Sequence, residues 1–232
     1  NPLEAHLYAN FLLYPRITPP LVGLIISGGH TELVYLPRKG EYEQWGTTRD
    51  DAAGEAFDKV ARILNLGYPG GPAIEKVAKK GNPYSINLPL THFKKDTLDF
   101  SFSGIKTAIL YYVKGLQEKR RPIPTADIAA SFQLKVAQML AQNLFKIAYL
   151  KKIKQIILGG GVTANLFLRS FLEKEKPQNV EIFFPPPELC TDNAAMVAGC
   201  AYDKISRGKA SSFSLEAQPN LSLAIPYKGK GE

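Results

Sequence analysis

Two glycine-rich segments carry the residue types best suited to chemistry, Ser27-Gly28-Gly29-His30-Thr31 and Gly159-Gly160-Gly161-Val162. Each follows a short apolar run, Leu21–Ile26 before the first and Gln155–Leu158 before the second. A strand that ends in a glycine loop is how α/β proteins bring backbone N–H groups against phosphate oxygens. Two such loops facing each other across a cleft are what a nucleotide needs. Gly28-Gly29 also suits the positive φ of a plain hairpin turn; the polar Ser27, His30 and Thr31 beside it favour a ligand loop. In the second segment one glycine would make the turn, and three cost backbone entropy, so the triplet implies a close approach to the backbone. The helix expected beyond it offers its positive end to an anion, with Asn165 in the first turn, within reach of a ribose hydroxyl or a base. The spacing matches neither the Walker A loop nor the dinucleotide fingerprint.

Further polar groups have two readings each. Asp51, Glu55 and Asp58 share one helix face, which is either solvated or, beside Gly70-Gly71, suited to a hydroxyl-rich ligand. Asp192 is either a helix N-cap or a metal ligand acting with the distant His6; one histidine and one aspartate are too few for spacing to decide. In Asp99-Phe100-Ser101-Phe102-Ser103-Gly104 the alternation puts aromatics on a core face and serines on a polar one.

The elements that must position these groups read as an α/β chain. Leu3–Leu13 is a short helix, Leu21–Ile26 and Thr31–Leu36 are strands, and Gly40–Thr48 is a loop or edge strand. Asp50–Leu66 is a helix with apolar residues at one buried face, capped by Asp50 or Asp51. Ala73–Lys80 is a short helix and Ile105–Glu118 another. A long helix runs from a Thr125 cap to Tyr149. Gln155–Leu158 and Ala164–Leu172 form a βα unit, and Val180–Phe184 is a strand. A last helix, capped by Thr191 or Asp192, reaches Ser206, and a surface tail begins at Phe213.

The chain has 232 residues, 45% hydrophobic and 22% charged, enough for one large core or two smaller ones. Its net charge of +8 suits a phosphate-rich partner such as RNA. Lys94-Lys95, Lys119-Arg120-Arg121 and Lys151-Lys152-Ile153-Lys154 are candidate contacts, although each also reads as a solvated surface. Cys190 and Cys200 fit neither a disulfide framework nor a zinc motif, and two reduced thiols imply a cytoplasmic location. No stretch is long and apolar enough to span a membrane. The opening Asn1-Pro2-Leu3 reads as the middle of a longer protein.

In order along the chain, Ser27–Thr31, Asp50–Lys59, Tyr68–Pro72, Phe100–Gly104, Gly159–Asn165 and Cys190–Asn193 resemble one family, the tRNA N6-adenosine threonylcarbamoyltransferases called TsaD in bacteria. The resemblance implies an actin/sugar-kinase/Hsp70-like α/β fold of RNase H-like lobes, here with the N-terminal lobe incomplete. Residues 1–20 would be a remnant of that lobe, 21–184 the C-terminal lobe with the nucleotide loops, and 185–232 a return segment packing on the first lobe. It implies transfer of a threonylcarbamoyl group from threonylcarbamoyl-AMP to N6 of adenosine 37 in tRNAs that read codons starting with A. By carry-over Ile25, Ile26, Ser27, Gly28, Gly29, Asp58, Gly71 and Asn165 line the site for that adenylate or ATP. His6 and Asp192 match two of three ligands of a divalent metal, iron or zinc. The third family position, four residues before His6, is Pro2, which cannot bind a metal through its side chain. No residue matches an assigned catalytic group. The implied partners are tRNA, a TsaB-like paralogue and a TsaE-like ATPase. Two alternatives remain: a nucleotide-binding but inactive subunit of the same complex, and an ATPase or sugar kinase of the same superfold.

Overall fold

The computed structural model describes the chain apart from residues 91, 92, 94–96, 210, 213, 217–221, 224 and 227–232. Lys94-Lys95 and most of the expected tail from Phe213 lie outside the described residues. The strands are β1 (Leu21–Ile26), β2 (Thr31–Leu36), β3 (Glu43–Thr47), β4 (Gln155–Gly159), β5 (Glu181–Phe183) and β6 (Ile225–Pro226). They form one mixed sheet in the order β5-β4-β1-β2-β3-β6. β1 pairs antiparallel with β2 and parallel with β4. Central in the sheet and covered on both faces, β1 is a continuous apolar run rather than an alternating one.

The helices are α1 (Pro2–Leu13), α2 (Ala53–Ile63), α3 (Gly70–Ala78), α4 (Ser103–Glu118), α5 (Thr125–Leu150), α6 (Leu166–Glu175) and α7 (Ala194–Ser206). Val22, Leu24 and Ile26 of β1 point into a large core built with α2 to α6. Leu21 and Ile25 point the other way, against Leu3 and Leu7 of α1. α7 packs on the outside of α1, with Met196 and Cys200 against Ala5, Tyr8 and Ala9. Both cysteines are free and buried. Burial, reinforced by the Glu4 carboxylate, pushes the Cys200 thiol up to about 11, so it is protonated at neutral pH.

Three helix starts depart from the sequence expectation, one because a residue from elsewhere in the fold supplies the acceptor and two by a shift of one or two residues along the chain. α2 begins at Ala53, and the Thr31 hydroxyl of β2, not Asp50 or Asp51, accepts from the Ala53 amide at 2.9 Å. Asp50 is spent on α4 instead, accepting from the amides of Phe102 at 2.8 Å and Ser103 at 3.3 Å. Thr125 is the first residue of α5 rather than its cap, and its hydroxyl donates back to the Ile123 carbonyl. Asn193 caps α7 by accepting from the Met196 amide at 2.9 Å. The Asp192 carboxylate is therefore not used as a cap.

Candidate functional site

A cavity of about 400 Å³ opens where the ends of β1 and β4 meet α2 and the start of α3. A crevice outside the carboxyl ends of neighbouring parallel strands is where α/β sheets hold ligands. Gly28, Asp58, Gly71 and Asn165, all expected from the sequence, line it together. Ile25 and Ile26 are fully buried, so only their backbone can face a ligand. Ser27 shapes the loop: its hydroxyl accepts from the His30 amide at 3.1 Å, and its own amide donates to the His30 carbonyl at 2.8 Å.

The glycines divide into two kinds. Gly54 and Gly160 are demanded by the protein itself. A Cβ on Gly54 would lie 2.6 Å from the Ser27 carbonyl oxygen, and Gly160 has a φ of 93° with the Ile26 carbonyl pressed against it. The close approach implied by the second triplet is therefore partly the protein's own backbone. Gly28, Gly29 and Gly71 differ. None has a positive φ, and a Cβ on any of them would meet nothing within 4 Å. Hairpin geometry, the alternative offered for Gly28-Gly29, does not require them. They keep open the space in and beside the cavity.

The polar groups around the cavity are largely committed. Asp58 Oδ1 accepts from the Gly70 amide at 2.7 Å, fixing the start of α3 against α2. Asn165 is the N-cap of α6 rather than a first-turn residue; it accepts from the Leu168 amide at 2.8 Å and donates to Gln133 Oε1 at 2.8 Å. Glu75 of α3 accepts from the Leu166 amide at 2.9 Å. Two N-terminal amides of α6 are thus already paired, so the anion expected at this helix end has competitors. Glu75, Tyr68 and Thr191 also line the cavity, and spacing alone carried no signal for them.

The acidic stretch before and within α2 is joinery rather than a solvated face. Asp51 bridges Lys59 of α2 and Lys106 of α4, each at 2.7 Å. Burial opposes the Asp51 charge, and the two ammonium groups outweigh it, holding the carboxyl below its usual range. Lys59 also pairs with Glu55 at 2.7 Å.

On the far side of the β4 loop, His6 Nε2 lies 3.3 Å from Asp192 Oδ1. A Cβ on Gly159 would stand 2.8 Å from the His6 carbonyl oxygen, so the bare glycine lets α1 seat this histidine against the sheet. His6 is buried and its Nδ1 has no partner. Burial, opposed by the Asp192 charge, lowers the pKa of the imidazole and favours the neutral, ligating form. The donor pair suits a divalent cation that takes its other ligands from substrate or water. Among the described residues no third histidine, cysteine or acid completes a cluster. Arg169 ties the two sides together: it donates to the Thr163 carbonyl at 2.6 Å and the Pro185 carbonyl at 2.5 Å, and its guanidinium is 3.1 Å from Cys190 Sγ.

A family model described as TsaD: tRNA N6-adenosine threonylcarbamoyltransferase matches residues 1–199. A relative of that name from Clostridium botulinum (strain Kyoto / Type A2) is 49% identical over 224 residues, which are 96% of this chain and 66% of the relative. One from Clostridium perfringens (strain 13 / Type A) is 48% identical over the same shares of each chain. The chain thus spans just under two thirds of these relatives' length. Among solved structures, full-length HypF in its phosphate- and nucleotide-bound form superposes with a TM-score of 0.69 at 14% identity, over 90% of this chain and 43% of that one. Component A of the Acidaminococcus fermentans (R)-2-hydroxyglutaryl-CoA dehydratase gives a TM-score of 0.51 at 18% identity, over 88% and 68%. These likenesses bear on the fold alone, and they agree with an α/β actin/sugar-kinase-like architecture.

Proposed function

We infer the function from one premise: the chain belongs to the TsaD family of tRNA N6-adenosine threonylcarbamoyltransferases. The protein transfers a threonylcarbamoyl group from threonylcarbamoyl-AMP to N6 of adenosine 37 in tRNAs that read codons starting with A. The observation that carries this beyond the family match is the cavity kept open by glycines with no structural need to be glycine.

The donor is a mixed anhydride and already activated, so the protein's work is to position it, meet developing charge and exclude water. The nucleotide lies against Gly28, Gly29 and Gly71, with the backbone of Ile25, Ile26 and Ser27 as the wall. Asp58 Oδ1 is engaged with Gly70, which leaves Oδ2 to accept from a ribose hydroxyl. Asn165 closes the opposite side. His6 and Asp192 hold one divalent cation, iron or zinc, which when bound supplies a Lewis acid for the donor's oxygens. Burial fixes His6 before substrate arrives, and the Arg169 strut braces the chain at Pro185 and Cys190 that leads to Asp192. In the whole enzyme residues 21–184 act as one lobe and residues 1–20 and 185–232 lead to the other, with α1 lying on the sheet of the first lobe and α7 on α1. A TsaB-like paralogue and a TsaE-like ATPase complete the working assembly, in the cytoplasm. Among the described residues no helix is long and apolar enough to cross a membrane.

Nucleoside mass spectrometry tests the proposal. The chain, and in parallel a form extended to its relatives' length, is incubated with threonylcarbamoyl-AMP, a tRNA of this class and the partner subunits. Threonylcarbamoyladenosine is expected with the extended form and is lost in Asp192→Ala. No product despite retained AMP binding would point to a non-catalytic subunit. ATP turnover with a small acceptor and no tRNA would point to a kinase.

A further inference from the structure

A second cavity, of about 610 Å³, lies on the other side of Tyr68 from the nucleotide cleft, and Asp58 and Tyr68 line both. Its floor is the outer side of α2, with Glu55, Lys59 and Arg62, and its end wall is the turn from Asn65 to Tyr68. That turn is tightly closed. The Leu66 amide donates back to the Ala61 carbonyl at 2.9 Å, and Asn65 and Gly67 take positive φ values of 55° and 89°, as in a glycine- or asparagine-terminated helix end. The Asp58–Gly70 hydrogen bond fixes the chain just beyond it. On this fixed wall Tyr68 is 86% exposed and lies outside the core.

The charges of the cavity are unequally spent. Lys59 is held between Asp51 and Glu55. Arg62 is exposed and makes no ion pair among the described residues. The cavity therefore presents an aromatic face for stacking, an uncommitted guanidinium for a phosphate and the Asn65 carboxamide for a base edge. That combination is the chemistry of a single-stranded nucleotide. An RNA acceptor must be held beside the cleft, and this cavity shares two residues with it, Asp58 and Tyr68, whereas the cavity beyond Glu75 shares that one residue alone.

We propose that this second cavity binds a nucleotide of the RNA acceptor that flanks the reacting one, with a base stacked on Tyr68 and a phosphate on Arg62, so that the strand is held along the Tyr68–Asp58 wall of the cleft. The inference rests on the RNA-modifying function proposed above and gives the acceptor its place on the surface.

The test measures binding of a fluorescein-labelled anticodon stem-loop from a tRNA that reads codons starting with A, over a series of salt concentrations. Titration with AMP reports the donor site separately. The full chain is used, together with its form extended to the relatives' length. Arg62→Ala is expected to lower the slope of log Kd against log salt by about 0.7, the value of one contact to a single strand, with AMP affinity unchanged. Tyr68→Ala weakens RNA binding about tenfold, and Tyr68→Phe, which keeps the ring, restores it. Both positions are exposed, and equal thermal midpoints confirm that the variants are folded. RNA binding unchanged in both alanine variants overturns the inference and leaves the proposed function standing. So does an Arg62→Ala variant that weakens AMP as much as RNA. An unmutated protein that binds AMP but not the stem-loop overturns both together.

Discussion

Gly70 and Gly71 are adjacent, yet they are glycine for opposite reasons. A Cβ on Gly70 would stand 2.5 Å from the Asp58 Cα, against backbone that cannot give way; on Gly71 it would meet nothing within 4 Å. Gly70→Ala should therefore cost about 1–3 kcal/mol, as overpacking does. Gly71→Ala should leave stability equal or raise it by up to about 1 kcal/mol, since alanine is the better helix former. It should also weaken AMP binding about tenfold or more, or about 1.4 kcal/mol. Denaturant melts and AMP titrations of the two variants check this, and a Gly71→Ala protein that binds AMP normally would remove that residue from the site. The sequence marks both glycines without separating them, because the atoms that crowd Gly70 come from α2, distant in spacing, while no atom of the chain crowds Gly71.

At the scale of elements, the acids around α2 join helices. Asp51 lies just before α2 and links it to α4 through Lys59 and Lys106. Asp51→Asn should cost about 1–2 kcal/mol at neutral pH, the range of charge-assisted bonds that are partly exposed. Its folded pKa is depressed, so the stabilisation is present above the usual carboxylate value near pH 4 and is lost as pH falls through the lower folded value. Thermal melts of wild type and variant should converge toward that acidic range; a gap that persists there would mean the charge is not the cause. The helices themselves were legible from apolar periodicity, which is a local property. Their caps were not. Thr31 serves α2, Asp50 serves α4 and Glu75 serves α6, and each pairing depends on tertiary neighbours that no local pattern encodes. For the same reason the sequence pointed to Asp58 and Asn165 but not to the structural bonds that occupy them.

In the whole molecule, one sheet supports both halves of the proposed site: β1 and β4 end at the glycine-lined cavity, and α1 seats His6 against the tip of β4. Gly159→Ala would put a methyl group 2.8 Å from the His6 carbonyl oxygen, forcing α1 away from the sheet. We expect a loss of about 1–3 kcal/mol and, in protein dialysed against zinc or iron, less bound metal than in wild type at matched folded fraction. Metal content unchanged by this substitution, but lost in His6→Ala, would show that the seat of α1 tolerates movement. The parallel pairing of β1 with β4 also has a consequence during synthesis. β1 and β2 leave the ribosome together and can close their hairpin at once, but the other edge of β1 stays bare until Gln155–Gly159 has been made. At about 5–20 residues per second that interval lasts on the order of ten seconds. Through it the nascent chain carries an open Val22–Ile25 edge, the kind of surface that recruits another strand, and α1, made earlier, has no β4 loop to seat on.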